Sequence, residues 1–239
     1  MGEGAGDESR APSLLRWMAE PLVLPKLAAA PFRKPVLTAK VGKGRPVLVL
    51  PGMASGDAST ALLRNSLAAA GYHPLAGGLG RNMTLSVKRF EALERRLAQL
   101  VEQDGQAAIV LGWSLGGFYA RVLAQRHPEH VALVATLGTP FSGSRKANNA
   151  WRLYNLLADH TVDSPPLPDD PAVKPAVPTL AFWSPIDGIV APASARGTAE
   201  ERDEAIELPY RHFEMGCSRP AVRQVIEALN ARCGSTAAD

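Results

Sequence analysis

Apolar residues recur with two different periods along this chain. Short, largely apolar runs at Val47 to Leu50, Ala107 to Leu111, Val131 to Leu137 and Val177 to Trp183 are the pattern of strands buried on both faces. Gly71 to Leu75 suggests a further strand, and Ala205 to Leu208 a weaker one. Between these runs the period lengthens. Ser86 to Glu102 carries Val87, Phe90, Leu93, Leu97 and Leu100 at helical spacing, and Gly117 to Arg126 carries Phe118, Val122 and Leu123 before His127-Pro128 stops it. Helices are also expected from about Ser59 to Ala70 and from Pro220 to Ala231. Strand and helix alternate throughout. The pattern predicts an α/β domain over 45–239, with a mostly parallel central sheet, helices on both faces, and active groups on loops at the carboxyl ends of strands.

The first 44 residues lie outside that alternation. The apolar stretch from Leu14 to Ala30 is broken by Arg16, Glu20, Pro21, Pro25 and Lys26, so it reads as neither a signal peptide nor a membrane span. An N-terminal arm packed on the domain is expected, in preference to an amphipathic segment lying on a membrane surface. With 239 residues, 46% of them apolar, the chain can bury one sizeable core. Net charge is only +3 and the basic residues are scattered, which argues against nucleic acid as a partner. Cys217 and Cys233 form no disulfide framework and no metal-ligand spacing. A reduced, cytoplasmic setting fits them, with a single bridge left open.

Chemistry enters at Gly112-Trp113-Ser114-Leu115-Gly116, which follows a strand run and opens a helix. A serine in so tight a strand-to-helix turn needs flanking residues without side chains, and the turn lifts its hydroxyl clear of the sheet. An activated serine needs a base. Of His73, His127, His130, His160 and His212, only His212 follows the last strand run on a loop that could aim back at Ser114. The base needs a carboxylate to hold one tautomer. Asp187 directly follows a strand and precedes Gly188, whereas Asp163, Asp169 and Asp170 lie in a proline-rich loop, so Asp187 is favoured.

The order Ser114, Asp187, His212 is one that a particular fold uses. With Leu-Pro-Gly-Met at 50 to 53, Leu-Gly-Thr-Pro at 137 to 140, Asp187-Gly-Ile-Val and His212-Phe-Glu-Met-Gly, residues 45 to 231 resemble the α/β-hydrolase superfamily. Within it they resemble small bacterial serine esterases and lipases with a reduced cap. The resemblance implies Ser114 as nucleophile, His212 as general base and then acid, and Asp187 as the group orienting His212. It further implies an oxyanion hole from the backbone N–H groups of Met53 and Leu115, although many relatives have His-Gly where this chain has Pro51-Gly52. No metal or cofactor is required.

Substrate is less sharply defined. Residues 141–176 are expected to form a small cap, with Trp151, Leu153, Tyr154, Leu156 and Leu157 on a helix that either lines an acyl pocket or packs on the sheet. Trp113 and Phe141 are further pocket candidates. A small-molecule carboxylic ester is the expected substrate. Thioesters, lactones, methyl esters of carrier-bound acyl chains, acyl transfer, perhydrolysis and non-catalytic ligand binding stay open as alternatives.

Overall fold

The computed structural model describes residues 11–78, 80–158, 161 and 163–235, apart from the side chains at positions 152, 153, 157, 234 and 235. Six strands, β1 Pro46–Leu50, β2 His73–Ala76, β3 Ala108–Trp113, β4 Val131–Leu137, β5 Thr179–Trp183 and β6 Glu204–Glu207, form one sheet in the order β2-β1-β3-β4-β5-β6. Every pairing is parallel. Among the described residues eight α-helices accompany them: α1 Leu14–Ala19, α2 Leu24–Ala29, α3 Ala61–Ala69, α4 Val87–Asp104, α5 Leu115–Arg126, α6 Trp151–Leu157, α7 Pro192–Arg196 and α8 Arg219–Ser235.

The two-residue period of each strand sorts its side chains between two cores. Val47, Val49, Ile109, Leu111, Leu133 and Ala135 face one side, where Leu62, Leu63 and Leu67 of α3 and Val222, Val225, Ile226 and Leu229 of α8 meet them. Leu48, Leu50, Ala108, Val110 and Val134 face the other, against Phe90, Leu93, Leu97 and Leu100 of α4 and Tyr119, Val122 and Leu123 of α5. Val87, counted with the α4 face in the sequence, is instead exposed at the first turn. Element ends differ from the pattern by up to four residues, the largest at the end of α8. A 3-10 turn over Asp57–Thr60 delays the start of α3, and α5 begins at Leu115, directly behind Ser114.

The chain runs from β1 outward to β2 and then returns to the other side of β1 as β3. At such a reversal the connections leave in opposite directions and open a crevice beyond the carboxyl ends of the two strands. Leu50 and Gly112 are register partners there, so the turns after β1 and β3 emerge side by side.

The described part of the arm turns some of its residues inward. Glu20, Val23, Ala30 and Val36 are all buried. No helix among the described residues is long and apolar enough to cross a membrane. Cys217 and Cys233 are not joined in a disulfide, and burial pushes the Cys217 thiol up to about 12.

Candidate active site

Ser114 occupies the turn between β3 and α5 with φ 51° and ψ −119°, a left-handed conformation that costs a non-glycine residue about 1–3 kcal/mol. The two flanking glycines make the turn possible by close approach. A Cβ on Gly116 would lie 2.5 Å from the Leu50 carbonyl oxygen, and one on Gly112 would lie 2.5 Å from the Gly116 carbonyl carbon. The turn is tied down by the Ser114 N–H donating to Leu137 O at 2.8 Å and by the Thr139 hydroxyl donating to Ser114 O at 2.9 Å.

His212 follows β6 on a 3-10 turn, and its ring packs above Gly138 at the end of β4, the strand whose Leu137 carbonyl holds Ser114. Its Nδ1 lies 2.8 Å from Oδ2 of Asp187, and both side chains are buried. The other Asp187 oxygen accepts the N–H groups of Ile189 and Val190 at 2.7 and 2.8 Å. That fixes the carboxylate and leaves one lone-pair direction for the imidazole. Burial alone would disfavour a charged ring, but the charge and hydrogen bond of Asp187, with Glu20 behind, outweigh it and raise the His212 pKa.

Glu20 has no counterpart in the sequence reading. Although it sits on the N-terminal arm, one carboxylate oxygen accepts the N–H groups of Gly188 at 2.8 Å and His212 at 2.9 Å, and the other accepts that of Phe213 at 3.1 Å. One buried side chain thus holds both the loop after Asp187 and the loop bearing His212. These partners lie 168 or more positions away in sequence, so no local pattern could reveal them.

Two backbone amides expected to receive an oxyanion border the same cavity as Ser114. Leu115 is the first residue of α5, where amides have no partner within the helix and the helix dipole favours negative charge. Met53 follows Gly52, whose Cα lies so near Ser114 that an added Cβ would be 3.3 Å from the serine Cβ. Buried Asn82 pins this turn: its side-chain amide donates to Pro51 O at 2.8 Å, and its backbone carbonyl accepts from Ala54 N–H at 2.8 Å.

The cavity has a volume of about 820 Å³ counting its open mouth. Its floor is Met53, Ser114, Leu115, Phe118, Val122, Ile189 and Val190. Its roof comes from the segment between β4 and β5, including Trp151 and Tyr154 of α6 together with Pro165, Leu167 and Pro171. Tyr154 is anchored there, its hydroxyl accepting from Leu85 N–H at 3.2 Å. Buried Arg121 of α5 fastens the returning loop by donating to the carbonyls of Pro171, Ala172, Val173 and Glu201. Desolvation lowers its pKa to about 10.

Three pocket assignments are corrected by the structure. Trp113 shares the strand face of Ile109 and Leu111, so its ring points into the core beneath the cavity. There it meets Phe213 edge-on, with centroids 6.5 Å apart, and backs the His212 ring at 6.0 Å. Phe141 turns away from its neighbour Pro140, which does line the cavity, and lies under the Arg121 guanidinium at 4.0 Å. Leu156 is 80% exposed on the outer face of α6. Leu153 and Leu157 carry side chains outside the described set.

The rival groups are engaged elsewhere. His73 pairs with Asp104 and His127 with Glu94, each at 2.8 Å, while His160 lies outside the described residues. Asp163 pairs with Lys146, Asp169 with Arg126, and Asp170 accepts the Ala172 N–H. A turn before β4 gathers His127, Glu129 and His130, with ligand atoms within 4.8 Å of one another, a grouping that sequence spacing did not suggest. It lies at the amino end of the sheet, away from the cavity.

A family model described as alpha/beta hydrolase fold matches residues 45–163, a stretch that holds Ser114 but neither Asp187 nor His212. Over 62 residues the chain is 36% identical to the biotin biosynthesis bifunctional protein BioHC of Teredinibacter turnerae; the match spans 26% of this chain and only 10% of that protein. Among solved structures, a metagenome-derived lipolytic enzyme described under LipS and LipT superposes with a TM-score of 0.62 at 17% identity, covering 84% of this chain and 99% of that one. The monoacylglycerol lipase of Paleococcus ferrophilus gives 0.56 at 17% identity, covering 82% and 96%. The chain therefore has the α/β-hydrolase fold.

Proposed function

We propose that this α/β-hydrolase-fold protein is a serine hydrolase that cleaves small carboxylic esters through an acyl-enzyme on Ser114. The observations that carry the reading are a serine held in a left-handed turn by the Leu137 carbonyl and a buried histidine-carboxylate pair whose imidazole packs on the adjacent Gly138. The mostly apolar cavity beside them suits an acyl chain, and the esterase and lipase neighbours are consistent with it.

The chemistry follows from these positions. Ser114 Oγ attacks the ester carbonyl carbon while His212 Nε2 takes its proton, and Asp187 holds the Nδ1–H tautomer and supports the imidazolium. The Met53 and Leu115 N–H groups receive the charge that develops on the carbonyl oxygen. Collapse breaks the C–O bond, and His212 returns the proton to the departing alcohol. A water molecule, deprotonated by His212, then attacks the acyl carbon, and the carboxylic acid leaves as Ser114 recovers its proton.

The test is hydrolysis of p-nitrophenyl esters of short, medium and long acyl chains. Wild type is expected to turn over with a distinct chain-length optimum, and Ser114→Ala to lose roughly 10⁴-fold or more. Undiminished turnover by Ser114→Ala would show that another group is the nucleophile.

A further inference from the structure

The N-terminal arm packs on the domain by one side only. From Leu14 to Phe32 the chain is helical almost without interruption, α1 and α2 alternating with short 3-10 turns through linking residues that keep right-handed helical dihedrals. Its inward positions are Glu20, Val23 and Ala30, spaced by three and seven residues. Its outward positions repeat by the same period: Leu14, Met18 and Leu22 at steps of four, flanked by Leu15, Trp17, Leu24 and Phe32. Among the described residues, eight of the twelve exposed large apolar side chains lie between Leu14 and Leu37. Leu15 is 81% exposed and Phe32 90%. A stripe of this kind on water is the mark of an interaction surface.

Charge indicates what meets it. Residues 11 to 45 hold seven of the 26 Lys and Arg but one of the 23 Asp and Glu, so the stretch is formally +6 and the rest of the chain −3. Its single acid, Glu20, is buried against backbone amides. Arg16, Lys26, Lys34, Lys40 and Lys43 are exposed. Basic residues alone, read along the whole chain, appear scattered; weighed against the acids, they single out this stretch, which follows an acidic start at Glu3, Asp7 and Glu8 and in which Lys26 pairs with Glu214. An apolar stripe with an aromatic residue and a cationic surround matches the interface of an anionic bilayer, where side chains enter the acyl boundary and lysines meet headgroup phosphates.

We propose that residues 14 to 40 dock this protein peripherally on anionic lipid surfaces. The docked arm lies against the loops that border the cavity. Arg16 donates to Pro185 O, the Asn149 side chain donates to Pro12 O, and Glu20 holds Gly188, just before the cavity residues Ile189 and Val190. A bilayer held by the arm therefore sits beside the carboxyl edge of the sheet.

The test is sedimentation of the full chain with vesicles of phosphatidylglycerol and phosphatidylcholine, compared with phosphatidylcholine alone, at low and high salt. Binding is expected to the anionic vesicles, weakened by salt. It should fall at least tenfold in Leu15→Glu/Met18→Glu and in Lys34→Glu/Lys40→Glu, with thermal melting unchanged because these side chains are exposed. Phe32→Glu gives an independent third variant should either pair misfold. The proposal is overturned if wild type stays in the supernatant with anionic vesicles, or if the variants sediment like wild type. It is equally overturned if the stripe instead closes a dimer in lipid-free buffer that Leu15→Glu/Met18→Glu dissociates. None of these readouts depends on ester hydrolysis.

Discussion

At the scale of single residues, the site depends on two buried carboxylates, Asp187 and Glu20, whose oxygens are all engaged. Asp187 spends one oxygen on two backbone amides and the other on His212. Asp187→Asn keeps the volume but presents a donor to Nδ1, which favours the wrong tautomer; kcat is expected to fall on the order of 10³- to 10⁴-fold with the melting temperature little changed. A full-strength Asp187→Asn enzyme would remove Asp187 from the mechanism. In the proposed mechanism His212 accepts the Ser114 proton only when neutral, and its pKa is raised, so kcat/KM should climb with pH through a midpoint above the ordinary histidine value. Glu20 contributes to that rise. Glu20→Gln keeps one accepting oxygen, sets its amide nitrogen against at least one of the three N–H groups and lacks the charge, so the midpoint should move down, which a pH-rate profile reads directly; an unmoved midpoint would leave Glu20 with a purely structural part. Glu20→Ala, leaving three amides unpaired, is expected to cost about 3 kcal/mol in urea unfolding.

At the scale of elements, strands and helices set these residues in place by their periods, and the segment between β4 and β5 is fastened from below. Arg121 stands on α5, about two turns beyond Ser114, yet its guanidinium holds the loop that closes the cavity from the far side. Arg121→Met should strand those carbonyls and lower stability by about 3 kcal/mol, measurable by denaturant unfolding. Hydrogen exchange should accelerate first in residues 170–173. The strand and helix runs were legible because both faces of the sheet are covered, which turns each strand into an apolar run and each helix into a one-sided one. Trp113 and Phe141 were misjudged for a related reason. Their place near Ser114 in sequence says nothing of which side of the backbone they leave from, and strand alternation sends Trp113 into the core.

At the scale of the whole molecule, the reversal of strand order between β1 and β3 explains where the site is. It sets the Pro51-Gly52-Met53 turn beside Ser114, while β4, β5 and β6 extend the same edge toward Asp187 and His212. The serine turn and the order of the three residues were legible because each is marked by local turn chemistry at a strand end. Glu20, Asn82 and Arg121 were not, since each works across a distance in sequence that only the closed fold spans. The arm was half legible: its breaks excluded a membrane span, but only the packed structure separates its inward from its outward side. The central claim is that Ser114 is the nucleophile. Its most direct test is intact and peptide mass spectrometry of the protein after reaction with a fluorophosphonate. The account predicts a single phosphonyl adduct on the peptide bearing Ser114, missing in Ser114→Ala and slowed in Asp187→Asn. An adduct on a different residue, or none while the protein still hydrolyses esters, would contradict it.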